Sequence, residues 1–397
     1  MSYRTQTRRS APAGRRNTTS YHGGGRQNKK AYIDPRKFVQ KAKPIIAEEV
    51  FVPQHQFSDF VIDPLLQANL VGKGLVTPTP IQDQAIPIGL NGQDIVGIAN
   101  TGTGKTIAFA LPVLNALLQS PENRVLIMAP TRELAQQIED ECRIVAKGSS
   151  LYGALLIGGT PMGPQLSDLR HNPQIVIGTP GRIKDHIERG TLDVAKFNMV
   201  VLDEVDRMLD MGFIYDMKTI LGQMAKPRQS FFFSATLNPK VKALIDTFSN
   251  DPVAISVKTS ETSERVEQDV IYSIRGQKLE QLHDVLIREE VSKVLIFDDT
   301  KRSVERLSKE LQERGFKADA IHGDKSQGQR QRALNRFKRS EVKVLVATDV
   351  AARGIDVVDI SHVINYSTPQ SYEDYVHRVG RAGRAGQQGY ALTFIEG

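Results

Sequence analysis

From about Phe51 onward, short apolar runs rich in β-branched residues alternate with longer stretches of helical period. A first series of runs covers Ile95–Ile98, Val125–Met128, Ala154–Ile157, Ile175–Ile177, Met199–Leu202 and Ser230–Phe233. A second covers Val294–Phe297, Ala318–Ile321, Val342–Val346, His362–Asn365 and Tyr390–Ile395. Segments such as Glu133–Ala146, Val304–Arg314 and Gln329–Lys338 lie between them with apolar residues at helical spacing. The runs are continuous rather than alternating, as in strands buried on both faces. Strand and helix in alternation predict an α/β protein of parallel sheets flanked by helices. A polar stretch rich in Ser, Thr and Glu parts the two series. It predicts a linker at 258–268 between one domain at 51–257 and another at 269–397. A chain of 397 residues has room for two such cores.

Polar motifs follow most of these runs. They include Pro130-Thr131-Arg132-Glu133, Gly158-Gly159, Thr179-Pro180-Gly181-Arg182, Asp203-Glu204, Ser234-Ala235-Thr236, His322-Gly323-Asp324 and Thr348-Asp349. Ligands of an open parallel sheet bind at the carboxyl ends of its strands. The pattern therefore predicts two functional sheet edges that face each other.

Ala99-Asn100-Thr101-Gly102-Thr103-Gly104-Lys105-Thr106 is the most specific of these stretches. It joins a strand-like run to a helix-like one, the setting of a phosphate-binding loop. Gly102 and Gly104 leave room for backbone N–H groups to face phosphate oxygens. Lys105 supplies a point charge, and the Thr106 hydroxyl can ligate Mg²⁺. The common pattern of such loops begins with Gly, whereas this one begins with Ala99. Asp203 ends an apolar run, where a carboxylate can hold Mg²⁺ through water, and Glu204 beside it can orient or deprotonate an attacking water. In His377-Arg378-Val379-Gly380-Arg381-Ala382-Gly383-Arg384, Arg381 and Arg384 are three residues apart and can reach one anion together. That anion is a γ-phosphate or an RNA phosphate. Thr131, and Thr179 with Pro180, have the form of helix starts, whose free N–H groups bind phosphate.

Charge changes the picture at one end only. Residues 1–45 hold 12 Lys/Arg against a single acid, Asp34, which leaves 40 basic against 44 acidic residues for the rest. The segment 1–50 reads as a mostly disordered basic arm that grips phosphates without sequence preference. It lacks the amphipathic face of a mitochondrial leader. Within it, Asp34-Pro35 is expected to open a short helix whose Phe38 and Val39 dock on the body or on a partner. One cysteine, Cys142, excludes a disulfide framework and suits the cytoplasm. No apolar stretch is long enough for a membrane span.

Taken in order, these motifs resemble those of DEAD-box RNA helicases, from about Phe57 to the end of the chain. The resemblance implies two tandem RecA-like domains, ATP and Mg²⁺ as cofactors, and RNA as partner. It implies that Gln82, in Pro78-Thr79-Pro80-Ile81-Gln82, bonds the adenine edge and that Phe57 stacks on the base. The leading Ala99 is the family's own variant of the loop. Asp203–Asp206 is similar to the motif that names the family, and Ser234-Ala235-Thr236 to the one linking ATP to RNA. Asp206 and His377 would connect these across the cleft. Arg353-Gly354-Ile355-Asp356 resembles the segment whose Asp contacts ribose, and Arg381 and Arg384 stand where the family keeps arginine fingers. Thr131, Arg132, Gly158, Gly159, Thr179, Pro180, Gly181 and Arg182 would grip the RNA backbone from the first domain. Gln327, Arg330, Thr348, Asp349 and Arg353 would do so from the second.

Three positions depart from the family pattern. Val205 replaces Ala and is expected to crowd Glu204, Ala382 replaces Thr, and Ser367 stands where many members have Asp. The activity implied is ATP-dependent unwinding of short RNA duplexes, with an ATP-gated RNA clamp as the alternative.

Overall fold

In the computed structural model the described residues are 33–41, 51–100, 102–257, 266–274, 276–352, 357, 359–383 and 388–396. Seven strands form the first sheet: β1 Ile95–Ile98, β2 Val125–Met128, β3 Gly153–Leu156, β4 Ile175–Gly178, β5 Met199–Leu202, β6 Gln229–Ser234 and β7 Val253–Ser256. Six form the second: β8 Val266–Ser273, β9 Val294–Phe297, β10 Ala318–Ile321, β11 Val344–Ala347, β12 His362–Asn365 and β13 Gly389–Glu396. All these pairings are parallel, in the orders β3-β4-β2-β5-β6-β1-β7 and β10-β11-β9-β12-β13-β8.

Helices α1 Pro64–Gly72, α2 Pro80–Leu90, α3 Lys105–Gln119, α4 Arg132–Val145, α5 Met162–Arg170, α6 Pro180–Glu188, α7 Val205–Asp210, α8 Ile214–Gln223 and α9 Pro239–Phe248 accompany the first sheet. Helices α10 Lys278–Leu286, α11 Lys301–Glu313, α12 Gln327–Lys338, α13 Asp349–Ala352 and α14 Tyr372–Val379 accompany the second.

Each sheet separates two apolar layers, as its continuous apolar strands require. On β6, Phe231 and Phe233 enter one layer and Phe232 the other. On β9, Leu295 and Phe297 enter one, Val294 and Ile296 the other. Helix starts follow local chemistry: Thr79 and Gln82 form a reciprocal capping box at α2, with Pro80 at its first turn, and Thr131 Oγ1 accepts from Leu134 N at α4.

The structure departs from expectation at one edge. The stretch 258–268 is not linker throughout, because β8 begins at Val266; residues 258–265 lie outside the described residues. Within the arm 1–50, residues 33–41 dock as the Asp34-Pro35 signal implies, packed on the second sheet. Pro35–Phe38 form one 3₁₀ turn capped by Asp34, whose carboxylate accepts from Arg36 N at 3.0 Å. Phe38 is fully buried while Val39 is exposed. Gln40 and Gln268 exchange two backbone hydrogen bonds, at 2.9 and 2.8 Å, extending the sheet antiparallel beyond β8. Residues 1–32 and 42–50 lie outside the described residues. Among the described residues, no helix is long and apolar enough to cross a membrane.

Gly97 lies in β1, where a Cβ would sit on the Phe233 ring; Gly222, on the exposed side of α8, has open space around it. Gly97→Ala is expected to destabilise the fold by about 1–3 kcal/mol. Gly222→Ala is expected to stabilise it by about 0.5–1 kcal/mol. Denaturant titration of both variants checks the pair, and a neutral Gly97→Ala would contradict the close approach.

Candidate functional site

The loop between β1 and α3 is built as a phosphate cradle. Gly102 and Gly104 have φ of 85° and 93°, in the region that glycine enters at least cost. The loop is tied to α2 at two points: Thr79 Oγ1 donates to Thr103 O at 2.8 Å, and Gln82 Nε2 donates to Gly104 O at 3.0 Å. Thr103 Oγ1 donates to Asn100 O, and Ala99 N to Ser234 O. Lys105 Nζ turns back onto Ala99 O at 3.1 Å and lies 3.8 Å from Asp203 Oδ1. Gly102, Gly104, Lys105, Thr106, Asp203 and Glu204 line one cavity of about 440 Å³. Thr101 lies outside the described residues.

Both acids are almost fully buried. Burial pushes the Asp203 carboxyl up to about 6, against the opposing pull of Lys105, and Glu204 and Asp206 add to the rise. Glu204 sits at φ 52°, ψ 55°, a left-handed conformation that costs a non-glycine residue about 1–3 kcal/mol. Such strain at a carboxylate lining a cavity is characteristic of working sites. A hydroxyl and a carboxylate on one hollow fit a hard cation that keeps water and phosphate as its other ligands. Asp203, raised by burial, also lacks the counter-charge that such a cation would bring.

Gln82 and Phe57 are placed differently from the expectation of direct base contact. Both amide atoms of Gln82 are engaged within the protein: Oε1 accepts from Thr79 N, and Nε2 holds the loop. Phe57 is covered, edge-on to Phe60 with ring centroids 6.0 Å apart. The segment before it is fixed by buried Asp83, which accepts from Gln54 N and His55 N. Neither Gln82 nor Phe57 lines the cavity.

Asp206 links the acid motif to the end of β6. Its Oδ2 accepts from Ala235 N, Thr236 N and Thr236 Oγ1, all within 3.1 Å, and its Oδ1 accepts from Arg207 N. Ser234 Oγ accepts from Asp206 N and donates to Thr236 O. The next residue, Arg207, meets the second sheet. It lines a small hollow with Asp349, His377, Arg378 and Arg381. His377 and Arg381 thus reach the helix that carries Asp206, yet neither lines the cavity of Lys105. Arg353, Gly354, Asp356 and Arg384 lie outside the described residues.

A second cavity, of about 390 Å³, is lined by Thr131, Arg132, Gly158, Thr179, Gly181 and Arg182, with Arg330 and Val350 from the other sheet. Pro180 is buried in the first turn of α6. Gly159 has φ 75°, a left-handed backbone that favours glycine, and lies against the Arg132 guanidinium. Gln165 Nε2 holds the same turn through Ile157 O and Thr160 Oγ1. Burial, then the charge of Arg330, lowers the Arg132 pKa, and Glu133 opposes them.

Sequence reasoning missed the residues that organise this arrangement. Glu133 is buried and accepts from Arg330 Nη2 at 2.9 Å and Gln327 Nε2 at 3.4 Å, joining the two sheets. It directly follows Thr131-Arg132, which was the available signal. Arg378 is 2% exposed and binds Asp349 through two 2.6 Å hydrogen bonds. It also donates to Asn365 Oδ1 and Ser367 O, with its guanidinium 5.0 Å from the Phe297 ring centroid. Asp349, expected at a backbone groove, has both oxygens committed to Arg378, and neither it nor Thr348 lines the second cavity.

The three departures are absorbed. Val205 points into the core layer with Leu202 and Met208, so it does not crowd Glu204 as expected. Ala382 is buried in the second sheet's core. Ser367 Oγ donates to Asp299 at 2.7 Å, so a polar contact survives there.

Comparison with known proteins agrees with this geometry. The DEAD/DEAH box helicase family matches residues 79–244, and the helicase conserved C-terminal domain matches residues 277–386. The chain is 43% identical over 86% of its length to an ATP-dependent RNA helicase CshA of Listeria monocytogenes, spanning 66% of that protein. It is 41% identical over 85% of its length to the DEAD-box ATP-dependent RNA helicase CshA of Bacillus subtilis, spanning 69% of it. Its fold is similar to that of S. cerevisiae Dbp5 bound to RNA and ADP BeF3. The TM-score is 0.76 with 27% identity, over 86% of this chain and 89% of that one.

The raised Asp203 carboxyl sets a pH-dependent cost. The folded protein loses stability as pH rises from the ordinary carboxyl value near 4 through about 6, because ionisation is harder in the fold than in the unfolded chain. Without nucleotide or divalent cation, Asp203→Asn is expected to raise Tm by a few degrees at pH 7.5, with the gain shrinking towards pH 4.5. Thermal melts across that range measure it; a gain independent of pH would contradict the assignment.

Proposed function

This chain belongs to the DEAD/DEAH box helicase family, and from that premise we propose that it is an ATP-dependent RNA helicase that separates short duplexes. The observation that carries this reading is the cavity walled by both sheets, with the helix starts at Thr131 and Thr179 and three guanidinium groups around it. Helix N-termini and arginines bind phosphates without reading bases. The cavity proposed for ATP lies separately, built from the first sheet's elements with Lys338 of α12 at its wall.

In this proposal the loop N–H groups and Lys105 receive the triphosphate of ATP. Thr106 and Asp203 would hold Mg²⁺, which when bound would supply neutralisation of phosphate charge. Glu204 takes a proton from water as its oxygen attacks the γ-phosphorus. The bond to the β-phosphate oxygen breaks, giving ADP and phosphate. Arg381 and Arg384 act on the developing charge from the second sheet, which requires Arg381 to move from its hollow towards Lys105. Gln82 leaves its bond to the loop and Phe57 its packing against Phe60 to receive adenine, and Gly354 and Asp356 hold the ribose. Thr131, Arg132, Gly158, Gly159, Thr179, Pro180, Gly181, Arg182, Gln327, Arg330, Thr348 and Arg353 face RNA, and Asp349 acts there through Arg378. Asp206, Ser234, Thr236 and His377 couple the two ligands. The domains are proposed at 51–257 and 269–397, the latter with Val266–Gln268 of β8 added, and the cytoplasm is proposed from the single buried thiol of Cys142.

ATPase rates with RNA, DNA or neither, beside a duplex-unwinding assay, test the reading. RNA is expected to stimulate hydrolysis where DNA does not, since the 2′-hydroxyl separates them. RNA binding gated by ATP without strand separation would replace unwinding by a clamp. Glu204→Gln is expected to retain ATP and RNA binding and to lose at least about 100-fold in turnover; normal turnover removes Glu204 from its role. Deleting residues 1–32 is expected to weaken RNA affinity and flatten its dependence on salt. An unchanged slope in a salt titration would exclude the arm from binding.

A further inference from the structure

We propose that the segment Ile33–Lys41 is a strap that positions the helix presenting His377 and Arg381, with Phe38 as its positioning residue. The proposal rests on the reading of Arg381 as a group that acts on ATP. The strap precedes the first sheet in the chain but belongs physically to the second. Phe38 is fully buried among Val266, Ala391 and Tyr375. Its ring centroid is 4.6 Å from that of Tyr375, in α14. The Tyr375 hydroxyl donates to Gln268 Oε1 at 2.8 Å and reaches Phe38 O at 3.4 Å. Lys37 Nζ lies 5.7 Å over the Tyr372 ring, one helical turn earlier. The two backbone bonds between Gln40 and Gln268 fix the strap's register against β8.

Helical geometry gives these contacts their consequence. Tyr372, Tyr375 and Val379 recur at spacings of three and four and form one face of α14. Strap and core hold that face. The adjacent face carries Arg378 and the opposite face His377, and the chain then turns, through an Arg381 N to Arg378 O bond, into Arg381. Arg378, bound to Asp349, holds the helix on this side. The helix is thus gripped between a buried ion pair and an aromatic wedge. Without the wedge it can shift towards the hollow that Phe38 leaves, carrying Arg381 with it. A displacement of about 1 Å costs a catalytic group up to roughly 100-fold.

Full-length Phe38→Ala, Phe38→Leu and Tyr375→Phe test this, each assayed below its own melting transition. With Phe38→Ala, kcat of the RNA-stimulated ATPase is expected to fall about tenfold. KM for ATP and half-saturating RNA are expected to change less than about twofold, since the strap reaches neither cavity. Phe38→Leu is expected to recover most of kcat, and Tyr375→Phe to give a smaller loss. Adding Phe38→Ala to Arg381→Ala is expected to cost nothing further, because one change acts through the other. An unchanged kcat in Phe38→Ala, or losses that multiply in the double variant, would overturn the proposal while leaving the role of Arg381 intact. A normal kcat in Arg381→Ala would instead overturn the reading on which it rests.

Discussion

Asp203 is a carboxylate taken out of water with too little positive charge beside it, and the first site depends on that imbalance. Lys105 is close enough to attract it, yet burial outweighs that attraction and holds the carboxyl up at about 6. The same lysine is shared with a backbone carbonyl of its own loop. The glycines with positive φ, the two anchors from α2 and the left-handed Glu204 hold this arrangement in place. A triphosphate with its cation would draw Lys105 off Ala99 and give Asp203 its missing counter-charge. The ligand therefore replaces poor electrostatics with good, which favours binding even though the protein was strained to await it.

The link between the two sheets is also made of buried charge. Glu133 accepts from Arg330 and Gln327 across the gap, and Arg207 stands beside the Asp349–Arg378 pair. Such contacts have directional partners, so they distinguish one placement of the sheets from another more sharply than apolar packing does. Coupling between two ligands needs that discrimination, because a ligand shifts an equilibrium only by its difference in affinity for the two states.

Central strands were legible in the sequence because burial on both faces makes them continuously apolar. The edges were not. In β7 and β8 inward and outward residues alternate, as in Val266-Glu267-Gln268-Asp269, so Val266–Gln268 resembled linker. The loop, the acid motif and the residues around the second cavity stood out in the sequence because each sits next to a strand end. Glu133 and Arg378 could not be ranked above their neighbours, because their partners, Arg330 and Asp349, are distant in sequence. The sequence reading did foresee that Phe38 would dock. It could not foresee that the dock would be the sheet farther along the chain, since a single aromatic residue carries no address. Val205 was misjudged for a related reason: adjacency to Glu204 in sequence places the two side chains on opposite sides of the turn.

The distribution of charge explains why grip on RNA must be local. Beyond residue 45 acidic residues outnumber basic ones, so the body as a whole does not attract a polyanion. Within the second cavity the balance reverses by a small margin: Arg132, Arg182 and Arg330 stand against Glu133, bonded to Arg330, and Asp185, 3.8 Å from Arg182. Burial and the neighbouring charge of Arg330 both lower the Arg132 pKa. An RNA phosphate placed among these arginines would supply negative charge where it is scarce, as a bound cation would supply positive charge beside Asp203. The two sites thus carry opposite imbalances of one kind, each relieved by its own ligand. Glu133 ties the second imbalance to the relative position of the sheets, because the arginine it holds comes from across the gap.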